Sequence, residues 1–221
     1  MLIKELRLQS KNILSLFYFY KELLGMDVIR AGKGITIAAG QTKLIFEEAP
    51  GDENPFYHFA FNIPSNKFEE AYSWVKQKLI LLWLHDYYGD IADFVNWHAK
   101  SFYFKDPAGN IVEMIARYDL EDFAPEGFSS KQIRMVSEIG IVFHQGSFEE
   151  EIGGFMKQFS LKYFDKQPPM PHFRAIGNDE GLFIAVPENR VWFATEDQAK
   201  ICPTEITFIN NNKLHKFILH K

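Results

Sequence analysis

Cysteine is nearly absent from this sequence. Cys202 is the only one in 221 residues, which excludes an intramolecular disulfide framework and a cysteine-built zinc knuckle and fits a reducing, cytoplasmic compartment. Long apolar runs are missing as well. The longest, Leu79 to Leu84, stops at His85-Asp86, far short of the roughly 18 residues of a membrane span. Lys4, Glu5 and Arg7 stand where a secretory signal would carry its apolar core, so no targeting segment is expected. Positive charge is not in excess: 24 Lys and Arg against 29 Asp and Glu give a net charge of -5, which leaves no basic face for nucleic acid or an anionic membrane. What is plentiful is aromatic: 16% of residues, 22 of them Phe, a composition suited to strand surfaces and apolar pocket linings.

Periodicity gives the organisation. Ile3 to Leu8 alternates as a half-buried strand should, and Asn12 precedes a helical stripe of Ile13, Leu16, Phe17, Tyr20, Leu23 and Leu24 that Gly25 stops. Extended runs at Met26 to Arg30, Ile35 to Ala39 and Lys43 to Glu47 follow, separated by glycines. This strand-helix-strands order restarts at Phe56 to Ile63, with a helix from Asn66 read as opening on a capping box with Glu69, then strands at Ser101 to Lys105 and Ile111 to Arg117. It restarts again at Met135 to Phe143, with Ser147 and Glu150 as a second capping box and extended runs at Phe173 to Gly177, Leu182 to Val186 and Val191 to Thr195. A fourth unit, Ile201 to Ile209 and Leu214 to Leu219, has no helix. Residues 120–132 read as a linker between an N-terminal half, 1–119, and a C-terminal half, 133–221, whose last module is truncated. The fold class expected is α+β: paired βαβββ modules forming cup-shaped mixed sheets with helices outside.

Three stretches carry a resemblance: Phe19-Tyr20-Lys21-Glu22-Leu23-Leu24-Gly25, Tyr57 to Ile63, and Ser101 to Glu113 with its Asp106-Pro107-Ala108-Gly109-Asn110 turn. In them the chain resembles the vicinal oxygen chelate superfamily, which holds glyoxalase I, bleomycin resistance proteins, extradiol ring-cleaving dioxygenases and fosfomycin-modifying thiol transferases. The resemblance implies a divalent metal ion, Fe, Mn, Ni, Zn or Co, bound by Glu5, His58 and Glu113, with Glu5 and Glu113 in catalytic roles. It implies a lyase, isomerase or dioxygenase acting on a small substrate with vicinal oxygens. The alternative on the same fold is a metal-free binding protein that confers resistance by sequestering a small molecule. A monomer or homodimer is expected.

Strand alternation supplies the orientation. Tyr57, Phe59, Phe61 and Ile63 share one face, leaving His58, Ala60 and Asn62 to look into the cup, while Glu5, Arg7 and Gln9 share another face. Arg7, Ala60 and Asn62 are therefore expected pocket residues, and Trp97 and His98, just before Ser101, are expected to line the cup with them. Two converging carboxylates are expected to raise the pKa of one and to hold His58 as imidazolium. Glu138 and Glu205 occupy the corresponding strand positions of the C-terminal half, whose cup is expected to be structural. His215 and His220, five apart on one strand, face opposite sides and make no metal pair.

Overall fold

The computed structural model describes residues 1–219; His220 and Lys221, and with them the reading of His220, lie outside the described residues. The elements run β1 (Leu2–Ser10), α1 (Ile13–Tyr18), β2 (Asp27–Ala31), β3 (Gly34–Ala39), β4 (Thr42–Glu48), β5 (His58–Ile63), α2 (Phe68–Lys76), β6 (Ala92–Phe94), β7 (Ala99–Lys105), β8 (Ile111–Arg117), β9 (Met135–Phe143), α3 (Phe148–Phe159), β10 (Arg174–Asn178), β11 (Gly181–Pro187), β12 (Thr204–Asn210) and β13 (Lys213–Leu219). The fold is α+β, built on two curled mixed sheets. Among the described residues no helix is long and apolar enough to cross a membrane.

The strand orders are β13-β12-β1-β4-β3-β2 and β10-β11-β9-β5-β8-β7-β6. The first unit therefore joins the fourth, through antiparallel β1 and β12, and the second joins the third, through antiparallel β5 and β9. The expectation that each half closes a sheet of its own is corrected here, and burial gives the reason. β5, β8, β9 and β11 are buried at every residue, as strands covered on both faces must be. β1 and β12 alternate between buried and part-exposed residues. Strands of like pattern assemble together, giving one sheet covered on both faces and one with a face open to water.

The main core lies between the sheets. Leu6, Leu8, Phe46, Phe59, Phe61, Ile139, Phe183 and Phe208 are all buried in it, and the helix stripes join them. A second apolar cluster, including Ala60, Tyr103, Ile111, Ile115, Ile184 and Trp192, covers the other face of the larger sheet.

Two of the signature stretches meet in a buried clamp. Tyr20 Oη donates to Asp106 Oδ2 at 2.8 Å, and Asp106 Oδ1 accepts the backbone N–H groups of Ala108 and Asn110. Asn110 in turn accepts from the Tyr57 N–H at 2.9 Å, so this turn fixes the entry into β5. Gly109, at φ +85°, supplies a backbone conformation that other residues adopt only with strain.

Three local expectations change. Asn66 does not cap α2; its side chain exchanges hydrogen bonds with the backbone of Ala124, because residues 118–128 pack back across that helix start. Ser147 donates to Glu151 and not to the helix backbone. Val191 to Thr195 is no strand: it forms a tight turn in which the Trp192 N–H donates to the Asp197 carbonyl and the Thr195 N–H to the Trp192 carbonyl.

Candidate metal centre

The centre is built from one row of backbone pairs. Ala60 in β5 lies opposite Glu113 in β8 and opposite Glu138 in β9, so the two carboxylates flank a methyl group on the same sheet face. That methyl is all Ala60 has to fill the space between them. One pleat away on that face, His58 faces Ile111. His58 Nδ1 lies 3.2 Å from the Ile111 carbonyl, which assigns the ring proton to Nδ1 and leaves Nε2 as an acceptor. Nε2 lies 3.6 Å from Glu113 Oε2. Ligand atoms of His58, Glu113 and Glu138 all lie within 4.8 Å of one another, and all three residues are buried.

The electrostatics follow from burial. Desolvation lowers the His58 pKa to about 4, helped by the charge of Arg190, so the imidazole is neutral and the expected imidazolium is not formed. Desolvation raises the Glu113 pKa, and repulsion from Glu138, not from Glu5 as expected, adds to it. His58 and Glu113 are therefore neighbours, not an ion pair. Glu138 is also raised by burial, against the pull of Arg117. Arg117, with its side chain fully buried, ion-pairs with Glu138 and lies 3.7 Å from Asp179. Glu113 Oε1 is buried with no hydrogen-bond partner among the described residues, an arrangement that is costly unless another group reaches it.

Above this floor opens a cavity of about 470 Å³ whose walls include Phe94, Trp97, Tyr103, Phe173, Trp192 and Phe193. Phe94 and Trp97 rings are 5.6 Å apart, Tyr103 and Phe193 5.4 Å, and His58 and Trp192 5.5 Å. Trp192 reaches His58 because β9 offers a glycine: a Cβ on Gly140 would lie 2.5 Å from Trp192 Cη2.

The sequence-expected residues divide. His58, Glu113 and Ala60 lie together, and Trp97 lines the cavity. Glu5 and Arg7 do not reach it, because β1 sits in the other sheet. There Glu5 pairs with Arg7 and Lys43, and Arg7 with Glu47 and, at 4.0 Å, Glu205. Glu138, assigned from sequence to a structural cup, takes the position expected of Glu5. Asn62 is buried farther along β5 and does not line the cavity. His98 turns outward at φ +48° and its Nδ1 lies 2.6 Å from Asp119. Sequence reasoning missed Glu138 as a partner of His58, and it missed Arg190 and Trp192. For Glu138 the signal was present in the match between Ile3-Lys4-Glu5-Leu6 and Val136-Ser137-Glu138-Ile139.

No family model matches the chain. Among curated proteins, metallothiol transferase FosB of Staphylococcus epidermidis is 30% identical over 122 residues, covering 51% of this chain and 81% of that protein. FosB of Staphylococcus haemolyticus gives the same figures, 30% over 122 residues. Among solved structures, a lactoylglutathione lyase from Agrobacterium tumefaciens aligns with a TM-score of 0.42 at 19% identity, over 52% of this chain and 92% of its own length. The signature stretches, the curled mixed sheets and the identity to FosB over most of its length agree: this chain belongs to the vicinal oxygen chelate superfamily.

Proposed function

We propose that the protein is a divalent-metal-dependent enzyme acting on a small substrate with vicinal oxygens, and that His58 Nε2, Glu113 and Glu138 hold the ion. The observation that carries this reading is the convergence of three buried donors within 4.8 Å, one of them with an orphaned carboxylate oxygen. One imidazole and two carboxylates suit Mn, Fe, Co, Ni or Zn better than a thiolate-seeking metal. Such an ion supplies Lewis-acid polarisation of paired substrate oxygens, the chemistry shared by lyases, isomerases and ring-cleaving dioxygenases. The chain's own groups do the rest. Ile111 orients the imidazole, Arg117 holds Glu138 in place, and the aromatic walls keep water from the floor. Glu113, protonated when no cation is bound, gives up that proton on binding one, so binding releases a proton to solvent. A lone cysteine fits a cytoplasmic setting for this activity.

A second reading has its own support. Arg117 already neutralises Glu138 and burial keeps Glu113 protonated, so the cup is balanced without an ion, as a metal-free small-molecule binding protein requires. Metal content of the purified protein by plasma emission separates the two. A stoichiometric transition metal that is lost in His58→Ala supports the enzyme. A metal-free protein that takes up none of these ions when they are offered overturns it in favour of the binder.

A further inference from the structure

Arg190 differs from the buried and part-exposed arginines that meet acids. Arg7, Arg117, Arg134 and Arg174 each hold a carboxylate. Arg190 has none within ion-pair reach among the described residues; its guanidinium lies 5.4 Å over the Phe173 ring and lines the cavity above His58. Its pKa is lowered by desolvation alone, which is the mark of a half-buried cation without a counter-charge. The backbone that carries it is fixed: the Arg190 N–H donates to the Pro187 carbonyl and the Ala199 N–H to the Arg190 carbonyl. Glu138, which also lines the cavity, is held by Arg117, and Asp93 is exposed, so Arg190 is the arginine of the lining that no carboxylate holds among the described residues.

We infer that the cavity takes a planar aromatic compound bearing one anionic group, whose ring lies among Phe94, Trp97, Phe193 and Trp192 and whose anion is bound by Arg190. Two observations converge on it. Aromatic side chains on several sides favour a flat ring, which gains stacking as well as burial. A planar guanidinium with all five donors free of carboxylate partners matches a carboxylate's two oxygens in a bidentate geometry, and a low-dielectric wall strengthens that pair. The volume of about 470 Å³ lies within the range of small-molecule sites. The inference rests on the reading of this cavity as the substrate site and is independent of which ion, if any, the floor holds.

The test uses the intrinsic fluorescence of Trp97 and Trp192 in protein stripped with a chelator, titrated with benzoate, naphthoate and anthracene carboxylate and with the matching carboxamides. The expected result is that at least one acid binds about tenfold or more tightly than its amide. Arg190→Gln should bring acid and amide to within about twofold by weakening the acid alone, and Arg190→Lys should restore part of the preference. The inference is overturned if no acid is preferred over its amide, or if the preference survives in Arg190→Gln. Because the ion has been removed, failure here leaves the metal-content result standing, and a metal-free protein leaves this one standing.

Discussion

Glu113 and Glu138 are neighbours in space because Ala60 stands between them in a three-strand row, although 24 residues separate them and they belong to different units of the chain. The candidate centre is thus assembled across the expected linker, with His58 and Glu113 on one side of it and Glu138 on the other. Removing Glu138 should weaken cation binding as removing Glu113 does. Calorimetric titration with Mn²⁺ or Co²⁺ should show Glu138→Gln losing at least about tenfold in affinity, while Glu5→Gln and Glu205→Gln bind as wild type. Loss in Glu5→Gln with retention in Glu138→Gln would place the site in the other sheet.

The gap above Ala60 should be as necessary as the carboxylates. Ala60→Val puts two methyl groups into the row. It is expected to cost about 1–3 kcal/mol of stability through overpacking and to abolish cation uptake while the far-ultraviolet circular dichroism stays native. Uptake at wild-type affinity would show that nothing needs to enter between the two acids.

Gly140 makes room for Trp192, so Gly140→Ala should drive the indole out of its place beside His58. The expected signs are a red-shifted tryptophan emission and a loss of about 1–3 kcal/mol in urea unfolding. An unchanged emission spectrum would refute the role given to this glycine.

The site should also give an unusual dependence of stability on pH in the metal-free protein. His58, lowered from 6.5 to about 4, binds its proton more readily when unfolded, so its contribution is complete above pH 6.5 and is lost as pH falls toward about 4. Glu113, raised from 4.5, holds its proton more tightly when folded, so its contribution is present at low pH and is lost as pH rises above 4.5. The two slopes oppose each other between pH 4.5 and 6.5. Glu138 and Asp106, also raised by burial, lean the same way as Glu113, so the test is the change in slope between variants in urea unfolding at about pH 5 and pH 6.5. Relative to wild type, Glu113→Gln should shift the slope toward greater stability at higher pH, by up to about 1.4 kcal/mol per unit, and His58→Gln should shift it the other way. If both variants follow the wild-type profile, the two groups are not titrating as their burial requires.

Much of this was legible in the sequence, for reasons that particular residues make plain. Period-two alternation put His58 and Ala60 on one face of β5 and Phe59 and Phe61 on the other, because a pleated strand allows no other arrangement. Met135 to Phe143 reads as a strand with the bounds it has, since a segment rich in Val, Ile and Phe just before a helix start favours an extended chain. Pairing between units was not legible, because the edges that β1 and β9 present are backbone amides common to every sequence. Only the burial pattern separates them: Glu5 and Arg7 need water within reach, whereas Ser137, Glu138 and Gly140 do not. Trp192 was invisible as a site residue for a related reason. Its place is set by what Gly140 lacks, and a missing side chain on a distant strand leaves no periodicity to find.

The cross-pairing of units has a consequence for synthesis. β1 is synthesised well before one of its two neighbours, residues 204–210. Until then the growing chain carries an open strand edge and an unsealed core face, the features that recruit chaperones or a neighbouring nascent chain. Such long-range pairing slows folding. Ribosome-bound chains halted before residue 204 should therefore remain protease-sensitive at β1, and they should close only when the β12–β13 hairpin arrives.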